Sequence, residues 1–113
     1  MAINKTDVID AIGTDIDTGM VVLSLICAEE MTPEALLLVQ EKLNSYLTFI
    51  ESGEIYSSYP SAKGKDLHIR IYSQFRPQGM AAEFLALAEP IVTGAGIGFS
   101  YGPGGSGYVD DMS

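Results

Sequence analysis

The chain has 113 residues, a formal net charge of −9 and one cysteine. This length indicates one domain, and a lone cysteine excludes an internal disulfide and fits a reducing cytoplasm. The acidity argues against nucleic acid as a ligand, and no apolar run reaches the ~18 residues of a membrane span. Because the N-terminus has neither a basic start nor an apolar signal-peptide core, we expect a cytoplasmic protein.

Two apolar segments near the N-terminus predict a β-hairpin. Residues 7–14 and 20–28 are rich in Val, Ile and Leu, which favour strands. Residues 15–19 (DIDTG) between them have the composition of a turn. The second segment is apolar on both faces, a pattern typical of a central strand. One face holds Val21, Leu23, Leu25 and Cys27, and the other holds Met20, Val22 and Ile26.

The next segment predicts a long amphipathic helix. Thr32 is suited to the N-cap, Pro33 to the first helical position, and Gly53 to the left-handed position that ends the helix. The apolar stripe is predicted at Leu36, Val39, Leu43, Leu47 and Ile50, widened by Leu37 and Tyr46. The polar side is predicted at Gln40, Glu41, Lys42, Asn44 and Ser45.

The C-terminal half predicts a strand, a helix and a strand. Residues 54–66 form a loop or a short extra turn, and residues 67–75 (LHIRIYSQF) alternate as a strand does. A second helix is predicted over residues 79–93, with a kink or break at Glu89 because Pro90 removes a backbone hydrogen bond. Its inner face is predicted at Ala81, Phe84, Leu85, Ala88 and Val92. Ile97, Phe99 and Tyr101 then alternate with smaller residues in a last short strand.

The predicted fold class is α+β, with the element order β-β-α-β-α-β. Right-handed crossovers place both helices on one face of a mixed four-stranded sheet, which gives a two-layer sandwich. Residues 1–101 are predicted to form the single domain, and residues 102–113 a glycine-rich tail with the composition of a linker.

Three short motifs suggest chemistry, but each is better explained as local structure. Asp17-Thr18-Gly19 matches the aspartic-protease tripeptide, yet the predicted helices do not fit that largely β fold. Asp15-x-Asp17-x-Gly19 resembles the start of a calcium loop, but Ile26 stands where the closing Glu is needed. The glycines from Gly94 onward close a helix and end the chain, whereas a dinucleotide fingerprint opens a helix. We therefore predict no cofactor and no metal.

Single reactive side chains give weak signals as well. His68, the one histidine, lies on the polar face of a predicted strand without an evident catalytic partner. Cys27 fits a buried small hydrophobe. Glu51 and Glu54 stand near Tyr56 and Tyr59 after the long helix. For this cluster we rank packing of the tyrosine rings first, protein recognition second and acid–base catalysis third.

One segment resembles a known family. The run from residue 36 to 64, LLLVQEKLNSYLTFIESGEIYSSYPSAKG, is similar to a small uncharacterised bacterial family in its LLLLQEK-type helix, its Y-x-x-F-I-E-S-G-E segment and its Tyr-Pro-x-Ala-Lys-Gly turn. The resemblance covers residues 7–99 and implies a bacterial domain of unknown function, with no catalytic residue to carry over. The chain departs from the family pattern at Pro90 and in the glycine-rich tail.

Three classes of function follow from these features. The first is a non-enzymatic module for protein interaction or self-association, as a homodimer or with another, possibly basic, protein. The second is an immunity-type protein that neutralises a basic toxin, suggested by acidity and small size. The third is a small enzyme using Glu51, Glu54 or His68.

The predicted contact surface follows from the sheet face that the two helices leave uncovered. Its candidate residues are Val22, Ile26, Arg70 and Tyr72, together with Tyr56 and Tyr59. A second copy of the chain, or the tail through Tyr108 and Val109, is expected to cover this face. In the dimer, Arg70 is expected to meet an acid such as Asp10 of the second copy. We favour the dimer, because ordering a glycine-rich tail costs much entropy.

Overall fold

The computed structural model of the chain describes residues 9–27, 32–75 and 79–102. Four strands and three α-helices follow one another within these ranges. In chain order they are β1 (Ala11–Thr14), β2 (Val21–Cys27), α1 (Pro33–Glu51), α2 (Glu54–Ser58), a 3₁₀ turn (Pro60–Ala62), β3 (Leu67–Ser73), α3 (Met80–Gly94) and β4 (Gly98–Gly102).

The strands form one mixed sheet whose order, β1-β2-β3-β4, is the order of the chain. β1 pairs antiparallel with β2, and β2, β3 and β4 run parallel to one another. The predicted α+β class and element order are confirmed, and α2 is the short extra turn expected after the long helix. β1 is shorter than predicted and begins at Ala11, while residues 1–8 lie outside the described part. β4 includes Gly102, where the tail was expected to begin.

Local signals in the sequence fix the turn between β1 and β2. The Asp15 carboxylate accepts hydrogen bonds from the backbone N–H groups of Asp17 and Thr18 at 2.8 and 3.3 Å. A side chain that bonds to the backbone two residues later is the usual way in which Asp holds a turn. The Asp17-Thr18-Gly19 tripeptide therefore serves as turn structure in this fold.

Both predicted ends of α1 are confirmed. The Thr32 hydroxyl accepts a hydrogen bond from the N–H of Ala35 at 3.2 Å, and Pro33 opens the helix. At the other end, Gly53 has φ = +84°, and its N–H donates to the Ile50 carbonyl at 3.1 Å. A residue with a Cβ is strained in this left-handed conformation, which explains why glycine stands there.

Replacing Gly53 by Ala is therefore expected to lower the free energy of unfolding by about 1 kcal/mol. A Cβ at this position meets no atom within 4 Å, so the cost is conformational rather than steric. Gly13→Ala is the matched control, because Gly13 also has open space but does not have a positive φ. Urea denaturation measures both variants, and a Gly53→Ala variant as stable as the wild type would contradict the cap.

The core lies between the sheet and the helices. Six inward side chains of β2 and β3 are fully buried, as alternation along the strands predicts, and Leu67 at the start of β3 is partly buried. The six are Val21, Leu23, Leu25, Cys27, Ile69 and Ile71. The helices cover them with Val39, Leu43 and Tyr46 from α1, Ile55 from α2, and Leu85, Ala88 and Val92 from α3. Cys27 is buried as a small hydrophobe, in agreement with its predicted role.

Two positions of α1 contradict the predicted stripe. Leu37, expected to widen it, is 61% exposed, and Lys42, expected on the polar side, is completely buried. The buried arc contains Ala35, Val39, Lys42 and Tyr46, at spacings of four, three and four. Lys42 therefore occupies a core position by helical geometry, and its ammonium group needs a partner inside the protein.

A kink or a break is predicted at Glu89, and the break does not occur. α3 continues through Pro90 to Gly94 without interruption. Pro90 and Ala86, four residues before it, are both exposed. The carbonyl of Ala86, which loses its usual donor, therefore lies on the outer side of the helix, where water can satisfy it.

Candidate functional site

The sheet face turned away from the helices carries the candidate site, and we refer to it as the outer face. Alternation and register place small residues on the two edge strands and large ones on β3. Its members are Ala11 and Gly13 (β1), Val22, Ser24 and Ile26 (β2), His68, Arg70 and Tyr72 (β3), and Gly98, Ser100 and Gly102 (β4).

Arg70 lies at the centre of the outer face, and its guanidinium is held by neighbours on three sides. Nη1 donates to the Ser100 hydroxyl at 3.1 Å, and the guanidinium carbon lies 5.0 Å from the centre of the Tyr72 ring. A Cβ at Gly102 would come within 2.7 Å of Nη2. The guanidinium therefore depends on the absence of a side chain at Gly102 to lie flat over β4. Stacking on an aromatic ring and a hydrogen bond both favour one geometry of this planar group.

No carboxylate of the described residues neutralises Arg70. The one ion pair within residues 9–27, 32–75 and 79–102 joins Lys42 and Asp10. The chain has 15 acidic and 6 basic residues, so a central arginine without an ion pair to any acid of the described ranges is unexpected from the composition. Only one of its five N–H donors has a described partner. The others are able to donate hydrogen bonds to an anionic group.

His68 extends the polar cluster along β3. Its Nε2 lies 2.7 Å from the Ser100 hydroxyl oxygen, and its ring covers Gly98, where a Cβ would clash with Nδ1. Burial, and secondly the positive charge of Arg70, lower the pKa of His68 from 6.5. When His68 is neutral and carries its proton on Nδ1, its Nε2 accepts a hydrogen bond from the Ser100 hydroxyl, whose oxygen accepts one from Arg70. Ser100 thus connects the imidazole and the guanidinium.

The titration of His68 tests this arrangement. Because the folded pKa lies below the ordinary 6.5, neutral His68 contributes stability that is present above pH 6.5 and is lost as the pH falls through the folded pKa. The chain has one histidine, so its ring protons give one unambiguous NMR titration. We expect a midpoint below 6.5, moved upward in Arg70→Gln. A wild-type midpoint at or above 6.5 would contradict the predicted environment.

The cluster does not have the parts of a known nucleophilic site. A serine next to a histidine is the minimum for nucleophilic catalysis, which also needs a group that orients the base and donors for the developing charge. Among the described residues, no carboxylate bonds to His68. Glu51 and Glu54 are exposed on the helix side of the sheet, so they do not join His68 in one site.

The six residues predicted for the contact surface separate into two groups. Val22, Ile26, Arg70 and Tyr72 lie together on the outer face. Tyr56 and Tyr59 lie on the helix side, partly buried against the core. The Tyr59 hydroxyl hydrogen-bonds with Thr14 Oγ1 at 2.9 Å. This placement agrees with packing, the role ranked first for these two tyrosines.

A shallow groove of about 360 Å³ borders the cluster on the outer face. Val22, Ser24 and Tyr72 form one side of it. β1 and the exposed Asp15, which begins the β1–β2 turn, form the other side. The groove thus places an apolar side chain and a carboxylate on the same face as Arg70.

A polar network on the helix side of β2 was not predicted from the sequence. Asp10 accepts from Lys42 Nζ at 2.5 Å through one oxygen and from the Ile26 N–H at 2.8 Å through the other. The Tyr46 hydroxyl donates to the Ser24 carbonyl at 2.6 Å and accepts from the Asp10 N–H at 2.9 Å. Burial raises the pKa of Tyr46 above its usual range. Both carboxylate oxygens of Asp10 already accept hydrogen bonds in its own chain. This arrangement disfavours the expected contact of Asp10 with Arg70 of a second copy, which stays a prediction.

The described ranges contain neither a candidate metal cluster nor a candidate membrane span. Within these ranges, no group of three or more His, Cys, Asp or Glu side chains is arranged to hold a metal ion. None of the helices found there combines the length and apolar composition needed to cross a membrane.

Comparison with known proteins identifies a family. Neither the curated proteins nor the solved structures contain a match to the chain. A family model described as a family of unknown function, DUF6572, matches residues 1–104. The matched range includes every element of the fold described above and the whole outer face. The chain therefore belongs to this family of unknown function, DUF6572.

Proposed function

We propose that the protein is a non-enzymatic self-association module, and that the outer face is where a second copy binds. The observation that carries this proposal is the state of Arg70. Its guanidinium is ordered by Tyr72 and Ser100 but faces no carboxylate of the described residues. Arginine and tyrosine in a half-buried centre are the residue types that dominate the energy of protein interfaces.

The shape of the outer face supports a flat protein contact. Ala11 and Gly13 carry little or no side chain on the β1 edge, while on β4 the glycines let His68 and Arg70 lie close to the sheet. The larger groups of the face come from β3 and β2. Val22 is half-buried and Ile26 is 37% exposed, so both still present apolar surface. Removing such surface from water is the main favourable term in association.

The choice of a second copy as the partner follows from charge. The exposed Asp15 borders the same face, and only one of its oxygens, Oδ1, is used by the turn. A twofold axis between Arg70 and Asp15 sets each Arg70 against the partner's Asp15, and the contact occurs twice by symmetry. Asp15 thus replaces the engaged Asp10 as the acid in the proposed interface.

A charge placed in the apolar part of the face tests the proposal. Sedimentation equilibrium of the wild type is expected to show a mass rising with concentration from 12.1 kDa towards twice that value, whereas Val22→Asp remains a monomer. Leu37→Asp is the matched control, because it places the same charge on an exposed apolar residue of the helix layer. We expect it to associate like the wild type.

Two outcomes would contradict self-association. A wild type that stays at 12.1 kDa at every concentration removes the dimer. A full-length monomer whose truncated form, ending at Gly102, dimerises would instead assign the outer face to the C-terminal tail. Circular dichroism of each variant establishes that a change in mass does not come from unfolding.

A further inference from the structure

The helix layer presents a second surface, which the outer face does not explain. Four apolar residues of α3 follow one another at spacings of four, three and four, which places them on one side of the helix. They are Met80, Phe84, Leu87 and Ile91, and we call them the α3 stripe. Met80, Leu87 and Ile91 are 58%, 71% and 64% exposed. Large apolar residues exposed in a row, rather than singly, mark interaction sites.

The α3 stripe borders a groove between α3 and α1. The groove has a volume of about 180 Å³, and Leu43 and Leu47 of α1 face Phe84 and Ala88 across it. Gln40 and Asn44 form its polar edge on α1. Both helices run back along parallel strands, so they lie side by side and the groove follows their axes. Met80 and Ile91 are roughly 16 Å apart along the axis, or about three helical turns.

The exposed charged side chains of α1 and α3 are all acidic. α1 and α3 contain five exposed acidic side chains, and their one basic residue, Lys42, is completely buried. The acids are Glu34, Glu41, Glu51, Glu83 and Glu89. Glu83 lies one turn from both Met80 and Leu87, and Glu41 lies one turn from the exposed Leu37. Leu87, which lines the groove, thus has Glu83 one turn away, and Glu41 lies one residue from Gln40 on the α1 edge.

We propose that this groove binds a basic amphipathic helix of a partner protein. An apolar groove of this kind accepts the apolar face of a helix through side chains spaced three and four residues apart. Lysine and arginine at the edges of such a helix would pair with Glu41 and Glu83. The partner is therefore defined by its chemistry: about three turns of helix, with one apolar face and basic flanks.

The negative charge of the groove also argues against two other binding partners, a second copy of the chain and the chain's own C-terminal residues. A second copy placed on the same layer would bring glutamates against glutamates, since a twofold contact joins identical surfaces. Residues 103–113 of the chain contain Asp110 and Asp111 and no basic residue, so their charge does not complement the groove either. The inference is independent of the outer face, because the two surfaces lie on opposite sides of the sheet.

A synthetic peptide serves as the probe. It has about 15 residues, built from leucine at helical spacing and lysine elsewhere. Its binding to the full-length protein is measured by fluorescence anisotropy at several salt concentrations. We expect saturable binding that weakens with salt, and weaker binding by about tenfold or more in Leu87→Ser and Ile91→Ser. Ile16→Ser is the matched control, because Ile16 is 96% exposed in the β1–β2 turn, away from the groove.

Charge and sequence controls complete the test. The double variant Glu41→Gln, Glu83→Gln is expected to bind the peptide more weakly and with a smaller dependence on salt. Asp17→Asn in the turn is expected to bind it like the wild type.

An equal loss of peptide affinity in Ile16→Ser and Leu87→Ser would overturn the proposal. So would equal binding of a peptide with the same composition in non-amphipathic order, or of one with glutamate in place of lysine. Association of the protein with itself that Leu87→Ser abolishes would assign the groove to a second copy. Peptide binding that appears only after residues 103–113 are removed would assign it to the tail.

Discussion

Asp10→Ala is expected to lower the free energy of unfolding by about 3–5 kcal/mol, the usual cost of breaking a buried ion pair from one side. Lys42 is completely buried, and Asp10 supplies the carboxylate bonded to its ammonium group at 2.5 Å. The same substitution removes the acceptor of the Ile26 N–H at the end of the β1–β2 pairing. Chemical denaturation measures the loss, and Asp17→Ala, which removes an exposed acid, is expected to change stability by less than about 0.5 kcal/mol.

A double variant separates the ion pair from the rest of the site. Adding Lys42→Met to Asp10→Ala replaces the buried ammonium with an apolar side chain of similar length. Such replacements are often neutral or better, so much of the lost stability is expected to return. The double-mutant cycle gives the coupling between the two residues. An Asp10→Ala variant within about 0.5 kcal/mol of the wild type would mean that the pair is unimportant.

Leu43→Ala is expected to cost about 2–5 kcal/mol, through lost burial and the cavity that remains. Leu43 is 5% exposed and belongs to the core cluster with Leu23 and Ile69. The same helix offers a matched control in Leu37→Ala, because Leu37 is 61% exposed. We expect the control to change the free energy of unfolding by less than about 0.5 kcal/mol. Equal losses in the two variants would show that α1 presents a different face to the sheet.

Local chemistry made much of the fold predictable. Thr32, Pro33 and Gly53 mark the ends of α1 through short-range rules of capping and left-handed backbone, and the structure has them in those roles. Strict alternation over β3 likewise predicted which side chains enter the core. Ile69 and Ile71 are fully buried, and Arg70 between them is not. Each of these features depends on residues a few positions apart.

The burial of Lys42 was not predictable from local sequence patterns. Its position on the buried arc follows from helical spacing, but a lysine is ordinarily assigned to the surface because an unpaired buried charge is costly. Its partner Asp10 is 32 residues away in sequence. Only the pairing of β1 with β2 brings that carboxylate beneath α1. No local sequence pattern around Asp10 or Lys42 predicts this ion pair.

The outer-face cluster was predictable in part. Alternation put His68, Arg70 and Tyr72 on one side of β3. The parallel register of β3 with β4 then sets Ser100 opposite Arg70 and places Gly98 and Gly102 opposite His68 and Tyr72. That register depends on the crossover through α3, so a strand pattern alone does not give it. The sequence pattern places Gly98 in the last strand and Gly102 at the start of the tail, but it does not indicate that both make room for the side chains of β3.

The most direct test of the account exchanges the charges of the proposed Arg70–Asp15 contact. Arg70→Asp and Asp15→Arg are each expected to be monomeric alone, because each variant sets like charges against each other across the twofold axis. Mixed in equal amounts, they regain opposite charges at both contacts, so sedimentation equilibrium is expected to show the mass of a dimer. Each variant's circular dichroism confirms that it is folded. A mixture that remains monomeric, while the wild type dimerises, would contradict this pairing on the outer face.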